Sequence, residues 1–130
     1  MLVVNRTRGL IIADQVEMAT SFWARARGLI GRRSLSEGFG LAIIPCQAIH
    51  MAFVAMPLDI AHVDRNGRIV QILHGIKPWR LGPIVLQSAW VVELPSGTVD
   101  ATGTRVGDLV ELVKDERNSR NASISAEGAA

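Results

Sequence analysis

Cysteine is all but missing: Cys46 stands alone in 130 residues, so no disulfide can form within the chain and its stability has to come from a packed interior. A thiol left reduced fits a cytoplasmic setting. The amino terminus, Met1-Leu2-Val3-Val4-Asn5-Arg6, also lacks the basic segment and apolar stretch of a secretory signal, and the chain is expected to be cytoplasmic. No serine lies in a nucleophile elbow, no glycine-rich phosphate loop is present, and no two carboxylates share a predictable face. Charge is missing from Gly38 to Leu58, 21 residues, which is the length of a bilayer span. Pro45 and Pro57 each lack a backbone donor, and Gln47 and His50 lie near the centre, so the segment reads as protein core and no membrane partner is expected.

What is present describes one domain. A hydrophobic share of 48% with 20% charged residues suits residues 1–114 as a single strand-rich unit. Residues 115–130 hold almost nothing large and apolar and read as a disordered tail. The net charge of +2 is uneven: residues 1–80 carry ten Lys/Arg against five Asp/Glu, and residues 81–130 carry four against seven. That asymmetry permits an acidic partner without requiring one.

Leu2–Asn5 and Leu10–Ala13 read as a hairpin, and Gln15–Met18 as a half-exposed strand. Thr20 or Ser21 can cap a short helix over Phe22–Arg27 that Gly28 closes. Leu41–Ile44 and Leu58–Val63 are strands separated by an irregular Ala48–Met56. Ile84–Leu94 is expected to be the longest strand, Thr98–Val106 a turn or short helix, and Leu109–Val113 the last strand. Asn66-Gly67 predicts a two-residue type I′ turn. That turn sets Val63 opposite Val70, His62 opposite Gln71 and Asp59 opposite His74, with Ala61, Val63, Val70 and Ile72 on the same inward face. The expected class is α+β, mainly antiparallel, with a barrel-like or sandwich core and one short helix.

Candidate chemistry is sparse. Cys46 and His50 are four apart, the spacing of one helical face, but no second cysteine completes a metal site, and apolar neighbours favour an inert thiol. No catalytic residue, metal or cofactor is assigned, and the chain is read as leaning away from an enzyme. Arg25, Arg27, Arg32 and Arg33 form the densest basic cluster. With neither a helix-turn-helix pattern nor a base-stacking motif beside it, the cluster reads as a solvated face, and nucleic acid is not the expected partner. Lys77-Pro78-Trp79-Arg80-Leu81-Gly82-Pro83 is a restricted loop with an aromatic and two cations, a suitable binding surface.

The succession Ala26-Arg27-Gly28-Leu29-Ile30-Gly31-Arg32, Gly40-Leu41, Pro45-Cys46, Ile49-His50, Pro57-Leu58-Asp59-Ile60, Asp64, Gly67, Pro78-Trp79, Val92-Glu93-Leu94-Pro95-Ser96-Gly97 and Gly107-Asp108 resembles the family called domain of unknown function 192 over about residues 10–113. The resemblance implies a compact, strand-rich α+β domain and brings no activity, cofactor or catalytic residue with it. Met51 and Ala55 depart from the more polar residues typical of the family at those places. Together these readings predict a non-catalytic module that binds a small molecule or a protein, with His50, Asp59, His74, Trp79 and Arg80 as candidate ligand-binding residues. The alternatives are an enzyme sited near Cys46, His50, Asp59 and His74, and weak nucleic-acid binding through Arg25–Arg33.

Overall fold

The structure, a computed structural model, describes residues 1–116; the expected tail from residue 117 onward lies outside the described residues. Eight strands and two short helices follow in the order β1 (Leu2–Asn5), β2 (Leu10–Ala13), β3 (Gln15–Ala19), α1 (Phe22–Arg27), β4 (Phe39–Ile43), β5 (Leu58–Val63), β6 (Ile69–Ile76), β7 (Trp90–Pro95), α2 (Thr98–Thr102) and β8 (Val110–Val113). They build a five-stranded sheet, β3-β4-β7-β5-β6, and a three-stranded sheet, β2-β1-β8. Every pairing is antiparallel except β3 with β4. The architecture is sandwich-like α+β and does not close into a barrel. It has two short helices where one was expected.

Both faces of the large sheet are covered, and this is why β5 is buried at all six positions. Because side chains alternate along a strand, Leu58 and Ile60 join Leu41, Ile43, Met51 and Val91 in one core, while Ala61 and Val63 join Val3, Ile69, Val92 and Val110 in the other. The first core lies toward α1 and the loop 44–57; the second lies between the two sheets. Ser21 caps α1, its hydroxyl accepting from Ala24 N at 3.1 Å, and Gly28 closes it, as expected.

The β5–β6 turn corrects the predicted register at both ends. Asp64 pairs with Arg68 around a three-residue loop, and Asp64 Oδ1 accepts from the amides of Asn66 and Arg68. Only Gly67 takes a positive φ, at +86°, whereas a type I′ turn needs two such residues. An irregularity between His62 and Val63 restores the expected pairing at His62↔Gln71, Ala61↔Ile72 and Ile60↔Leu73, but puts Ile69, not Val70, opposite Val63. A second irregularity between Leu58 and Ile60 removes Asp59 from the ladder. The Asp59–His74 pairing therefore does not form. His74 Nδ1 lies 3.6 Å from Asp100, and Asp59 accepts from the backbone amides of Gly75, Gly97 and Val99 at 2.8, 3.0 and 2.9 Å.

The strand expected over Ile84–Leu94 is shorter, β7 beginning at Trp90. Residues 84–88 turn away because their backbone bonds elsewhere, Val85 N donating to Gln47 O and Ser88 N to Val85 O; Ala89 N still reaches β5 at Val63 O, while Ala89 O accepts from Cys46 N. Ser88 points inward, within 2.9 Å of the buried His62 Nδ1, and donates to Cys46 O at 2.8 Å. The longest strand is β6.

Candidate functional site

Two irregular segments, residues 45–57 and 77–89, run antiparallel across the first core. Trp79 N donates to Met51 O and Met51 N to Arg80 O, both at 2.8 Å; Gly82 N donates to Ile49 O at 3.0 Å and Val85 N to Gln47 O at 2.8 Å. Inward, Ile49, Met51, Val54 and Val85 are buried. A Cβ on Gly82 would come within 3.2 Å of Ile49 and 3.3 Å of Leu73, so the second segment lies hard against the core there.

Outward, this ribbon exposes Phe53, Trp79, Leu81, Ile84 and Leu86. Phe53 and Trp79 are 66% and 64% exposed, and their rings meet edge to face with centroids 4.7 Å apart. Both residues sit in the left-handed region, at φ +60° and +68°, where a bulky side chain costs about 1–2 kcal/mol. No acidic residue occurs in 45–57 or 77–89, while Lys77 and Arg80 are exposed. The ribbon is thus an apolar surface with a basic border.

The sequence-predicted residues divide. Trp79, Arg80 and His50 all lie on the ribbon: His50 bridges to Leu81 across the ladder, and its Nε2 is 3.3 Å from Ala26 O of α1. Asp59 and His74 gather instead around α2, which Asp59 caps. Cys46 and His50 line one cavity, but the other two residues of the expected enzyme site do not reach it. Burial pushes the half-buried Cys46 thiol above its ordinary range, and outweighs the hydrogen bond with the Ala48 backbone that pulls it down. In the arginine cluster, Arg32 is bound to Glu17 and stacks over Phe39, and Arg25 donates to Pro45 O. Among the described residues no group of three His, Cys, Asp or Glu could hold a metal, and no helix is long and apolar enough to cross a membrane.

Glu93 was missed. It sits mid-strand in β7, 4% exposed, on the face that carries Val91, and its Oε2 is buried with no hydrogen-bond partner. Burial raises its pKa from 4.5 to about 7. The readable signal was a carboxylate inside Trp-Val-Val-Glu-Leu, a strand apolar on both of its faces.

Among known proteins, the profile of domain of unknown function 192, described as an uncharacterised ACR, matches residues 3–112. The UPF0127 protein of Thermococcus sibiricus is 24% identical over 96% of this chain and 84% of its own length. A UPF0127 protein of Pyrococcus horikoshii is 27% identical over 85% of this chain and 97% of its own. A crystal structure of a protein of unknown function from Novosphingobium aromaticivorans superposes with a TM-score of 0.77 at 25% identity, covering 85% of this chain and 83% of that one. Another, from Sinorhizobium meliloti and provisionally described as a transcription regulator, gives 0.69 at 26% identity over 85% of this chain and 89% of that one.

Proposed function

Because the chain belongs to the domain of unknown function 192 family, which brings no activity with it, we propose from the geometry that it is a protein-binding module. Its docking surface is the ribbon of residues 45–57 and 77–89, and its partner presents apolar side chains bordered by acidic ones. The observation that carries this is the Phe53–Trp79 pair, two exposed aromatics held together in a backbone conformation that disfavours them. Strain of this kind persists where a surface is shaped for contact, and rigid aromatics with a nearby arginine are the commonest anchors of protein interfaces. The acidic border of the partner follows from Lys77 and Arg80 facing no acid within the ribbon.

Two cations supply only about 1 kcal/mol each toward an anionic lipid surface, which favours a protein partner over a membrane. The description of the Sinorhizobium meliloti neighbour brings nucleic acid to mind. That reading is weaker, since Arg32 and Arg25 are already engaged within the fold.

A random peptide display selected against the full chain, with the Phe53→Ser/Trp79→Ser variant as counter-selection, tests the proposal. Peptides combining Leu, Ile or Phe with Asp or Glu should be enriched on the wild type alone, and should perturb NMR resonances of residues 49–54 and 79–86. Equal enrichment on both proteins, or perturbation elsewhere, overturns it. So does binding to anionic phosphatidylserine vesicles without any peptide selected.

A further inference from the structure

Beneath the ribbon, a cavity of about 40 Å³ opens between α1 and the loop 44–57. One water needs about 10–15 Å³ of such space, so there is room for a head group of a few heavy atoms. Leu29, Ile43, Ile49 and Val54 make its apolar wall, Glu93 lies buried in it, and the exposed Ala48 and His50 stand on its rim. The Glu93 carboxylate lies against Gly28, both oxygens 3.8 Å from where a Cβ would be. Arg25, also on the lining, has its Nε buried without a partner, and it forms no ion pair with Glu93.

We infer that this cavity is a second binding site, for a small neutral ligand that gives a hydrogen bond to Glu93 Oε2, the chemistry of a primary amide. A buried carboxylate oxygen without a partner, ionised above neutral pH, requires a donor. The unpaired Arg25 Nε requires an acceptor, and an amide carries both groups. Above neutral pH charge selects neutrality: Arg25 and Arg27 on the lining disfavour a cation, and the ionised Glu93 disfavours an anion. Ionised Glu93 costs the fold stability, because its burial is uncompensated and pushes its pKa up to about 7. Groups kept at such a cost are characteristic of sites. The inference is independent of the docking surface, because it concerns the inner side of the loop.

The test is amide NMR of the full chain above neutral pH, titrated with acetamide and, separately, with acetone, which has the carbonyl but no N–H. Acetamide should give saturable shifts at Gly28, Leu29, Ile49 and Glu93, and acetone should bind at least about tenfold more weakly. Glu93→Leu should abolish the acetamide shifts while raising the melting temperature. Ala48→Phe, a change at an exposed rim position, should block entry without unfolding the protein. Non-saturating acetamide shifts, unchanged shifts in Glu93→Leu, or a lowered melting temperature in that variant would overturn the inference.

Discussion

Asp59 is 2% exposed and ionisable, and its carboxylate is matched by three backbone amides drawn from two places in the chain. By taking the Gly97 and Val99 amides it serves as the amino-terminal cap of α2, which has no capping side chain of its own. Asp59→Asn can no longer accept from all three amides and should lose roughly 3 kcal/mol by thermal or urea unfolding. It should leave ribbon binding unchanged. That Asp59 is buried and needs a partner was legible in the sequence. The partner was not, because amides 38 and 40 residues away have no side-chain signature, and the one imidazole in view drew the pairing instead.

Glu93 makes a prediction with a defined sign. Its folded pKa of about 7 lies above the ordinary 4.5, so between those values the folded chain holds a proton that the unfolded chain has released. Stability contributed this way is intact below 4.5 and is lost as pH rises to about 7. At about 1.4 kcal/mol per pH unit the loss approaches roughly 3 kcal/mol. His62 acts the other way: burial lowers its pKa, so its neutral form supports the fold above 6.5, and that support is lost as pH falls through the folded value. The difference between wild type and Glu93→Leu isolates the first effect, since His62, and the Arg25, Arg27, Cys46 and His50 that line the cavity with Glu93, are common to both. The advantage of Glu93→Leu should grow from pH 4.5 to about 7 and then level off; a pH-independent difference would show that Glu93 titrates normally.

At the scale of the element, the β5–β6 hairpin shows how far a pattern can be read. The alternation of Ala61 and Val63 against Ile72 placed the middle of the ladder correctly, because a one-residue slip would turn every side chain to the wrong core. Its two irregularities were invisible, since each depends on what lies beyond the hairpin. Gly67 O accepts from Val110 N at 2.8 Å, and a Cβ there would be 3.0 Å from Val110 O, so the turn is shaped by its contact with the start of β8. Gly67→Ala should therefore cost about 2 kcal/mol or more, from the left-handed φ and the contact together. Hydrogen exchange should show the loss as faster opening of β8 as well as of the hairpin. Similarly, Ile84–Ala89 has the composition of a strand, but Val85 N donates to Gln47 O and Ser88 N to Val85 O, a competition with strand pairing that only the assembled core decides.

For the whole molecule, the sandwich-like α+β class, the helix over Phe22–Arg27 and the strand-length apolar runs follow from periodicity and capping. The candidate site is legible only in part. Trp79 and Arg80 stood out as an aromatic beside a cation in a proline-bounded loop, but Phe53 lay within an uncharged run whose neighbours Met51 and Val54 point inward. Which of those residues faces outward is settled by the ladder with residues 79–85. The central claim is that the strained, exposed aromatic pair is retained for contact with a partner, and Trp79→Gly tests it most directly. Glycine accepts the φ of +68° without strain, which offsets the lost ring contact of about 1 kcal/mol. Melting stability should stay within about 1 kcal/mol of wild type, while affinity for a ribbon-selected acidic-apolar peptide, followed by calorimetry, falls about tenfold or more. Marked destabilisation with undiminished peptide affinity would contradict the account, since Trp79 would then be part of the fold and not of its binding surface.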